Sequence, residues 1–446
     1  FPTLETGNIA YKLVQRLAGA EATGPVAGYG LNVVLYEMRP EQMTPAHTTG
    51  WLAEPVCSNS LGSNLPDRAP GLLKEEMRRL GSALLRIADN TAVPAGGALA
   101  VDRSRFAEEV TARIEQDPNI ELRREEVQHI PEGVSVVCPG PLVSQPLAEV
   151  FRQLVGQDML SFYDAMAPIV EAESVDMDVA FRKSRHDRGD LSSGDYINCP
   201  MDKKAYDRFI EALVDAEQVE LRGFEKNDSR FFEACLPLEV LAGRNRDAPR
   251  FGPLSPVGLE DPNTGKRPFA VVQLRQDNAA ATLYNIVGGQ TNLKWGEQER
   301  VFRLIPGLEN ARFVRLGQMH RNTFIRAPEV LTPALQMKEK PDLFVAGQFA
   351  GFEGYMANAA SGLVAGTNAA RRLLGKDPLE FPPDTMIGAL ARYIAQARPA
   401  DFQPMKENFG LLPSLQQRIK KKRERCRALA DRSLNALDEF STNLQQ

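Results

Sequence analysis

Short apolar runs and amphipathic stretches follow one another along the chain, and their spacing predicts an α/β fold. Leu31-Asn32-Val33-Val34-Leu35-Tyr36 is an apolar run ending at Glu37. Such a run marks a strand buried on both faces of a parallel sheet. From Lys74 to Ile87 apolar residues recur at helical spacing, with Leu72, Leu73, Met77, Leu80 and Leu84 on one stripe, which predicts one amphipathic helix. Phe106 to Ile114 reads as another helix. Val134 to Cys138 is a short apolar strand closed by Pro139-Gly140-Pro141, a strong turn signal.

The pattern changes in the middle of the chain. From about Glu173 to Asp195 it is charged, carrying Arg182, Lys183, Arg185, Asp187, Arg188 and Asp190. Strands then come more densely, as Phe269-Ala270-Val271-Val272-Gln273-Leu274 and Thr282-Leu283-Tyr284-Asn285-Ile286-Val287. A last buried strand, Leu343-Phe344-Val345-Ala346, runs into Gly347, Gly351 and Gly354, and a small-residue helix follows from Ala357 to Arg372. Strand, glycine turn and helix is the order that aims a helix N-terminus at a phosphate. The two ends of the chain are therefore expected to form one discontinuous dinucleotide-type domain, residues 1–175 and 300–446. An inserted smaller α+β domain, residues 176–299, is expected between them.

Composition narrows the class. At 446 residues the chain is too long for one ordinary core and fits two domains or three. No apolar run is long enough to span a bilayer, and Phe1-Pro2-Thr3-Leu4-Glu5 lacks the basic-then-apolar order of a secretory signal. Cys57, Cys138, Cys199, Cys235 and Cys426 form no CxxC pair, and there are only four histidines. A disulfide framework and a zinc site are both disfavoured, and reduced thiols in the cytoplasm are expected. The net charge of −5 excludes a generally basic nucleic-acid binder. It does not exclude a local basic face. Arg418, Lys420, Lys421, Lys422, Arg423, Arg425 and Arg427 read either as such a face or as a solvated helix surface.

The nucleotide site can be placed by counting. Glu37, ending its strand, suits the acidic residue that binds ribose hydroxyls about 20 positions after a glycine turn. Counting back places that turn at Val14-Gln15-Arg16-Leu17-Ala18-Gly19, where Leu17, Ala18 and Gly19 would open the helix toward a cofactor. Only Gly19 of the three expected glycines is present; Val14 and Arg16 hold the other places, and Pro25 falls inside the helix that follows. A side chain at the middle glycine occupies the space through which backbone approaches phosphate. The second turn is more complete. Gly347, Gln348, Gly351, Gly354 and Tyr355 could present amides to a flavin or its phosphates.

Several stretches resemble one family. They include Tyr36-Glu37-Met38-Arg39-Pro40, Met43-Thr44-Pro45-Ala46-His47, Val56-Cys57-Ser58-Asn59-Ser60-Leu61 and Val93 to Arg103. Further on they include Tyr196 to Met201, Phe232-Glu233-Ala234-Cys235-Leu236-Pro237, Phe269 to Gln276 and Ile305 to Asn310. Met319-His320-Arg321-Asn322-Thr323-Phe324 and Asn408 to Pro413 complete the set. Together, from about residue 17 to 430, they resemble the folate- and FAD-dependent tRNA (uracil-54-C5)-methyltransferases. The resemblance implies an FAD-binding, two-dinucleotide-type Rossmann-like domain with the inserted α+β domain. It also implies 5,10-methylenetetrahydrofolate as carbon donor, NAD(P)H as reductant and the T-loop of tRNA as substrate. The chain departs from the family pattern at the N-terminal glycine turn. It departs again at Gly354-Tyr355-Met356-Ala357-Asn358-Ala359-Ala360, at Gly289, at Cys138-Pro139-Gly140 and at Arg326.

C5 of uracil is a poor nucleophile, and a thiolate added at C6 converts the ring to an enolate that activates it. By resemblance Cys57 and Cys235 act as a pair at the flavin, Cys235 attacking uracil and Cys57 serving as acid–base or flavin-side partner. Glu37, Arg39, Asn59 and Ser60 join the two turns as cofactor-side residues. His320, Arg321 and Asn322 offer donors to an anionic folate tail or phosphate, Arg275 has the same character, and Trp295 could stack on a pterin or base. Two other readings stay open to the residues. One is a flavin-free RNA-binding homologue, to which the lost glycines point; the other is a different FAD oxidoreductase on the same fold.

Overall fold

The computed structural model describes residues 11–14, 17–156, 160–187, 191, 194–219 and 236–444. For 11–14, 162–164, 320–321 and 443–444 it describes the backbone alone. The first part runs β1 (Tyr11–Val14), α1 (Leu17–Gly28), β2 (Val33–Tyr36), β3 (Ser60–Ser63), α2 (Ala69–Arg79) and α3 (Ala83–Asn90). It continues β4 (Ala92–Val93), β5 (Ala98–Val101), α4 (Arg103–Glu115), β6 (Ile120–Arg123), β7 (Ser135–Val137) and α5 (Gln145–Val155). The middle runs β8 (Leu160–Ala165), β9 (Ile169–Glu171), β10 (Phe181–Arg182), β11 (Tyr196–Met201), α6 (Lys203–Asp215), α7 (Leu238–Arg244) and α8 (Ala248–Phe251). Next come β12 (Ala270–Gln276), β13 (Leu283–Ile286), α9 (Trp295–Phe302), β14 (Phe313–Arg315), β15 (Met319–Phe324) and α10 (Ala327–Val330). The chain closes with β16 (Leu343–Val345), α11 (Tyr355–Leu373), α12 (Met386–Gln396) and α13 (Lys422–Leu444).

Sequence distance is collapsed in the first sheet. Its order is β16-β7-β1-β2-β6 with every pair parallel, so strands from both ends of the chain lie side by side. The second sheet, β10-β11-β12-β13-β9-β14, is antiparallel throughout. Each sheet has its own apolar core, one containing Leu35, Val136, Phe344 and Ala360, the other Ile197, Phe209, Val272 and Phe302. The class is therefore α/β, with a nucleotide-type parallel sheet and a second, antiparallel layer.

The predicted single helix from Lys74 to Ile87 is two helices. Gly81 has φ +80° and breaks the run, and the Ser82 side chain accepts from Leu85 N to start α3 afresh. A periodicity count does not register this break, because Leu80 and Leu84 stay in phase across it. Pro25 is inside α1 but in its last turn, so the lost hydrogen bond falls where the helix is about to end.

Helices α1 and α11 touch backbone to backbone. A Cβ added at Gly362 would lie 2.0 Å from the Ala18 carbonyl oxygen, and one at Gly366 would lie 2.4 Å from that of Ala22. The four-residue spacing puts both glycines on one face of α11, against small residues at the same spacing on α1. The packing brings the N-terminal ends of both helices to the same end of the sheet, next to the turn at Gly347.

Two buried carboxylates tie helices together from outside this pair. Glu76 of α2 accepts from Met386 N and Ile387 N at the start of α12, and from the Ser433 hydroxyl of α13. Glu21 of α1 accepts from Leu84 N at the start of α3. Burial pushes each carboxyl up to about 7 despite these bonds.

Two tests follow from the packing and the caps. Gly362→Ala should lower the unfolding free energy by about 2–3 kcal/mol in a urea titration, because backbone must move to admit the methyl group. A carboxyl whose pKa is raised on folding favours the protonated state, so its contribution is most favourable below pH about 4.5 and is lost as pH rises toward about 7. Glu21→Gln should therefore raise the thermal midpoint at pH 8 and flatten its decline between pH 5 and 7. The gain should be up to about 3 kcal/mol.

Candidate active site

A cavity of about 330 Å³ opens where the parallel sheet meets the antiparallel one, within the usual range for cofactor and substrate sites. Leu17 and Ala18 bring the start of α1 to its wall; Gly347, Gln348, Gly354 and Tyr355 bring the second turn and the start of α11. Gly347 and Gly354 have φ of +75° and +84°, which an L side chain adopts only with strain. The sequence after β7 contributes Cys138, Gly140 and Pro141. Burial pushes the Cys138 thiol far up, so it lines the cavity as an inert apolar group.

The loop from Pro55 to Asn59 carries Cys57 into this cavity and is held by three guanidinium groups. Arg103 donates to the carbonyls of Pro55 and Val56, and Arg315 donates to that of Val56 at 2.6 Å. Arg275 donates to Ser58 Oγ at 2.7 Å and Asn59 Oδ1 at 2.9 Å. Among the described residues one carboxylate is paired with this cluster: Asp277 bonds Arg103 through both oxygens, at 3.0 and 3.2 Å. Burial pushes Arg275 and Arg315 downward, although a guanidinium stays charged at any physiological pH. The loop thus sits in a field of excess positive charge, which favours a thiolate and any anion beside it.

Tyr355 completes the setting of Cys57. Its hydroxyl accepts from Cys57 N at 3.0 Å and Ser58 N at 3.3 Å, and lies 3.0 Å from Cys57 Sγ. The residue is half-buried, and burial of its hydroxyl beside Cys57 raises the phenol well above its ordinary value. With two amides on its oxygen, the one hydroxyl proton is directed at the sulfur.

The second wall is polar and unsatisfied. Asn322, Asn358 and Glu407 line the cavity, and their Nδ2, Oδ1 and Oε2 atoms are buried without a hydrogen-bond partner among the described residues. Buried polar atoms are nearly always paired, so three such orphans on residues of one cavity wall favour a polar ligand there. Arg39 also reaches the cavity. It is 1% exposed and paired with Glu37 at 3.0 Å and Glu54 at 3.5 Å.

Of the residues singled out in the sequence, the structure brings Leu17, Ala18, Arg39, Cys57, Ser60, Asn322, Gly347, Gln348, Gly354 and Tyr355 to one cavity. It places others behind the wall. Glu37 is 3% exposed, with both oxygens bonded to Arg39. Asn59 is fully buried, donating to the carbonyls of Val101 and Gln276. Arg275 holds the Cys57 loop from behind, Gly19 is inside α1, and Gly351 packs against Phe402. Trp295 is 65% exposed at the start of α9 and is not part of the cavity wall. The backbone of His320 and Arg321 lies in β15, and Cys235 lies outside the described residues. Among the described residues no cysteine is in a disulfide, no cluster could hold a metal ion, and no helix is long and apolar enough to cross a membrane.

Residues 17–377 match the family model described as glucose inhibited division protein A. The methylenetetrahydrofolate–tRNA-(uracil-5-)-methyltransferase of Lactiplantibacillus plantarum is 55% identical over 424 residues, covering 95% of each chain. That of Trichormus variabilis is 54% identical over 428 residues, covering 96% of this chain and 97% of its own. The chain belongs to the methylenetetrahydrofolate–tRNA-(uracil-5-)-methyltransferase family. The GidA structure from Aquifex aeolicus superposes with a TM-score of 0.66 at 17% identity, covering 98% of this chain and 76% of that one, which extends the fold of this methyltransferase family member to a more distant group.

Reading the sequence of this methyltransferase family member missed Arg103, Asp277, Arg315, Asn358 and Glu407. Asp102-Arg103, two charges directly after the apolar Ala98–Val101 strand, was a usable signal. Arg315 and Asn358 carry no local mark of their roles.

The unsatisfied wall generates a test with opposite signs in two assays. Asn358→Leu removes a buried unpaired acceptor, so the cofactor-free protein should melt at the same temperature or slightly higher. Titrated with FAD and followed by flavin fluorescence, the variant should bind about tenfold more weakly, equivalent to about 1.4 kcal/mol.

Proposed function

We propose that this protein methylates C5 of uridine 54 in the T-loop of tRNA, in the cytoplasm, with 5,10-methylenetetrahydrofolate as carbon donor, FAD as redox cofactor and NAD(P)H as reductant. The observation that carries the reading is Cys57, held at the cavity wall by Tyr355 and on a loop bonded by three arginines, in a chain about 55% identical to uracil-5-methyltransferases over nearly its whole length. The starts of α1 and α11, with the Gly347 turn, fit a dinucleotide, and Asn322, Asn358 and Glu407 supply its polar partners. When bound, FAD supplies the reducing equivalents that convert a transferred methylene to a methyl group.

The protein's own residues set up the rest. A thiolate adds to C6 of uracil, and the negative charge moves to the C4 oxygen, leaving C5 able to attack the one-carbon unit of the folate. We assign this thiolate to Cys235 and the partner role to Cys57. Proton removal from C5 expels tetrahydrofolate as the bond between its nitrogen and the transferred carbon breaks, and once that carbon is at the methyl level the C6–S bond breaks and the thiolate is regenerated. Arg103, Arg275 and Arg315 keep the field positive while charge develops on the pyrimidine. Tyr355, with its proton aimed at Cys57 Sγ, keeps that sulfur oriented toward the cavity.

A flavin-free RNA-binding homologue is not favoured, because an RNA-binding role alone does not account for the Cys57 cluster or the unsatisfied cavity wall. Incubation of the protein with unmodified tRNA, methylenetetrahydrofolate and NADPH should yield 5-methyluridine, detected by nucleoside chromatography. Cys235→Ala should reduce product at least about 1,000-fold while tRNA affinity stays within about twofold. Undiminished product from that variant would remove residue 235 from the reaction.

A further inference from the structure

The basic run at the end of the chain is absorbed neither by the cavity nor by the core. Arg418, Lys420 to Arg423, Arg425 and Arg427 are all exposed, seven cationic side chains against the single carboxylate of Glu424 within ten residues. In a protein of net charge −5 this is a sharp local reversal. Two of the seven have ion-pair partners among the described residues, Lys421 with Glu424 and Arg423 with Asp67, both on the surface.

Its place on the helix is unfavourable for stability. Helix α13 begins at Lys422, so Lys421, Lys422, Arg423 and Arg425 crowd the end at which unpaired amides already carry partial positive charge. A sequence chosen for helix stability places Asp or Glu there. Here side-chain cations and backbone amides converge on one spot, an arrangement relieved by a polyanion.

The run is also linked to chain that reaches the cavity on two sides. Arg423 Nε donates to Asp67 Oδ2 at 2.8 Å, and Asp67 lies five residues beyond the cavity-lining Gly62. Five residues span at most about 18 Å of chain. From the other side, the segment leading into the run leaves the cavity wall at Lys406 and Glu407.

We propose that residues 418–427 form a track for the phosphate backbone of the tRNA substrate, gripping the nucleic acid beside the cavity while the base enters it. The proposal rests on the methyltransferase reading and adds to it the surface that holds the substrate. The track binds charge and shape, and sequence is read elsewhere.

The test uses the full-length protein and unmodified tRNA. Replacing Lys420, Lys421, Lys422 and Arg425 together with alanine should weaken tRNA binding about tenfold or more near physiological salt. It should also lower the slope of log Kd against log salt concentration by about three to four. The thermal midpoint should hold or rise, because cations have been taken from the positive end of a helix. Glu424→Gln should act in the opposite direction, tightening binding. Wild-type affinity and slope in the quadruple variant, with the parent protein still producing 5-methyluridine, would overturn the track and leave the activity standing. Failure of the parent to methylate tRNA would instead strike the activity itself. Loss of binding to phosphatidylglycerol vesicles with tRNA affinity unchanged would assign the run to a lipid surface and overturn the proposal.

Discussion

The contact between α1 and α11 governs the placement of everything at the site. The first helix follows the first strand of the parallel sheet and the other follows the last, some 340 residues later. They meet because Gly362 and Gly366 present bare backbone to Ala18 and Ala22. Any larger pair would hold the axes further apart and separate the two helix starts that share the cavity wall. Close packing of this kind transmits strain rather than absorbing it, so the nucleotide end of the site is only as well formed as this crossing. It also explains how the parallel sheet can be assembled from two remote pieces of chain.

The electrostatics of the Cys57 loop complement that scaffold. Three buried or half-buried guanidinium groups face one loop, and among the described residues Asp277 is the carboxylate paired with them. Removing charges from water is costly unless they are hydrogen-bonded, and here the cost is met by the carbonyls of Pro55 and Val56 and the side chains of Ser58 and Asn59. The same bonds that satisfy the arginines fix the backbone of the cysteine. Stability and chemistry are therefore not separable at this point of the fold.

Much of this could be read from the chain beforehand, for reasons that differ by residue. The strands ending at Tyr36 and Val345 were legible because burial on both faces leaves an uninterrupted apolar run. Cys57 and Tyr355 were legible because each sits in a short, specific motif. The break at Gly81 was not, since apolar spacing stays in phase across it. Nor was the burial of Glu37 under Arg39, because spacing gives the end of a strand but not which neighbour covers the carboxylate. Asn322 was read as a donor, but that it and Asn358 would line one wall with unsatisfied atoms depends on two segments meeting in space. Arg315 and Asp277 belong to different strands and loops of the second sheet, and nothing local marks them as neighbours of residue 57.

The bonds across the two layers have an evolutionary consequence. Arg275 and Asp277 come from the antiparallel sheet, while Asn59 and Arg103 come from the nucleotide side, and each depends on the other for its partner. Gly96 and Asp195 form a second such link. Gene recombination between relatives that exchanged one layer alone would strand a buried ion or amide on each side of the seam. The two layers should therefore have been inherited as a single block, with divergence confined to outer loops and helix surfaces, and a chimera would be viable only where the seam residues travel together.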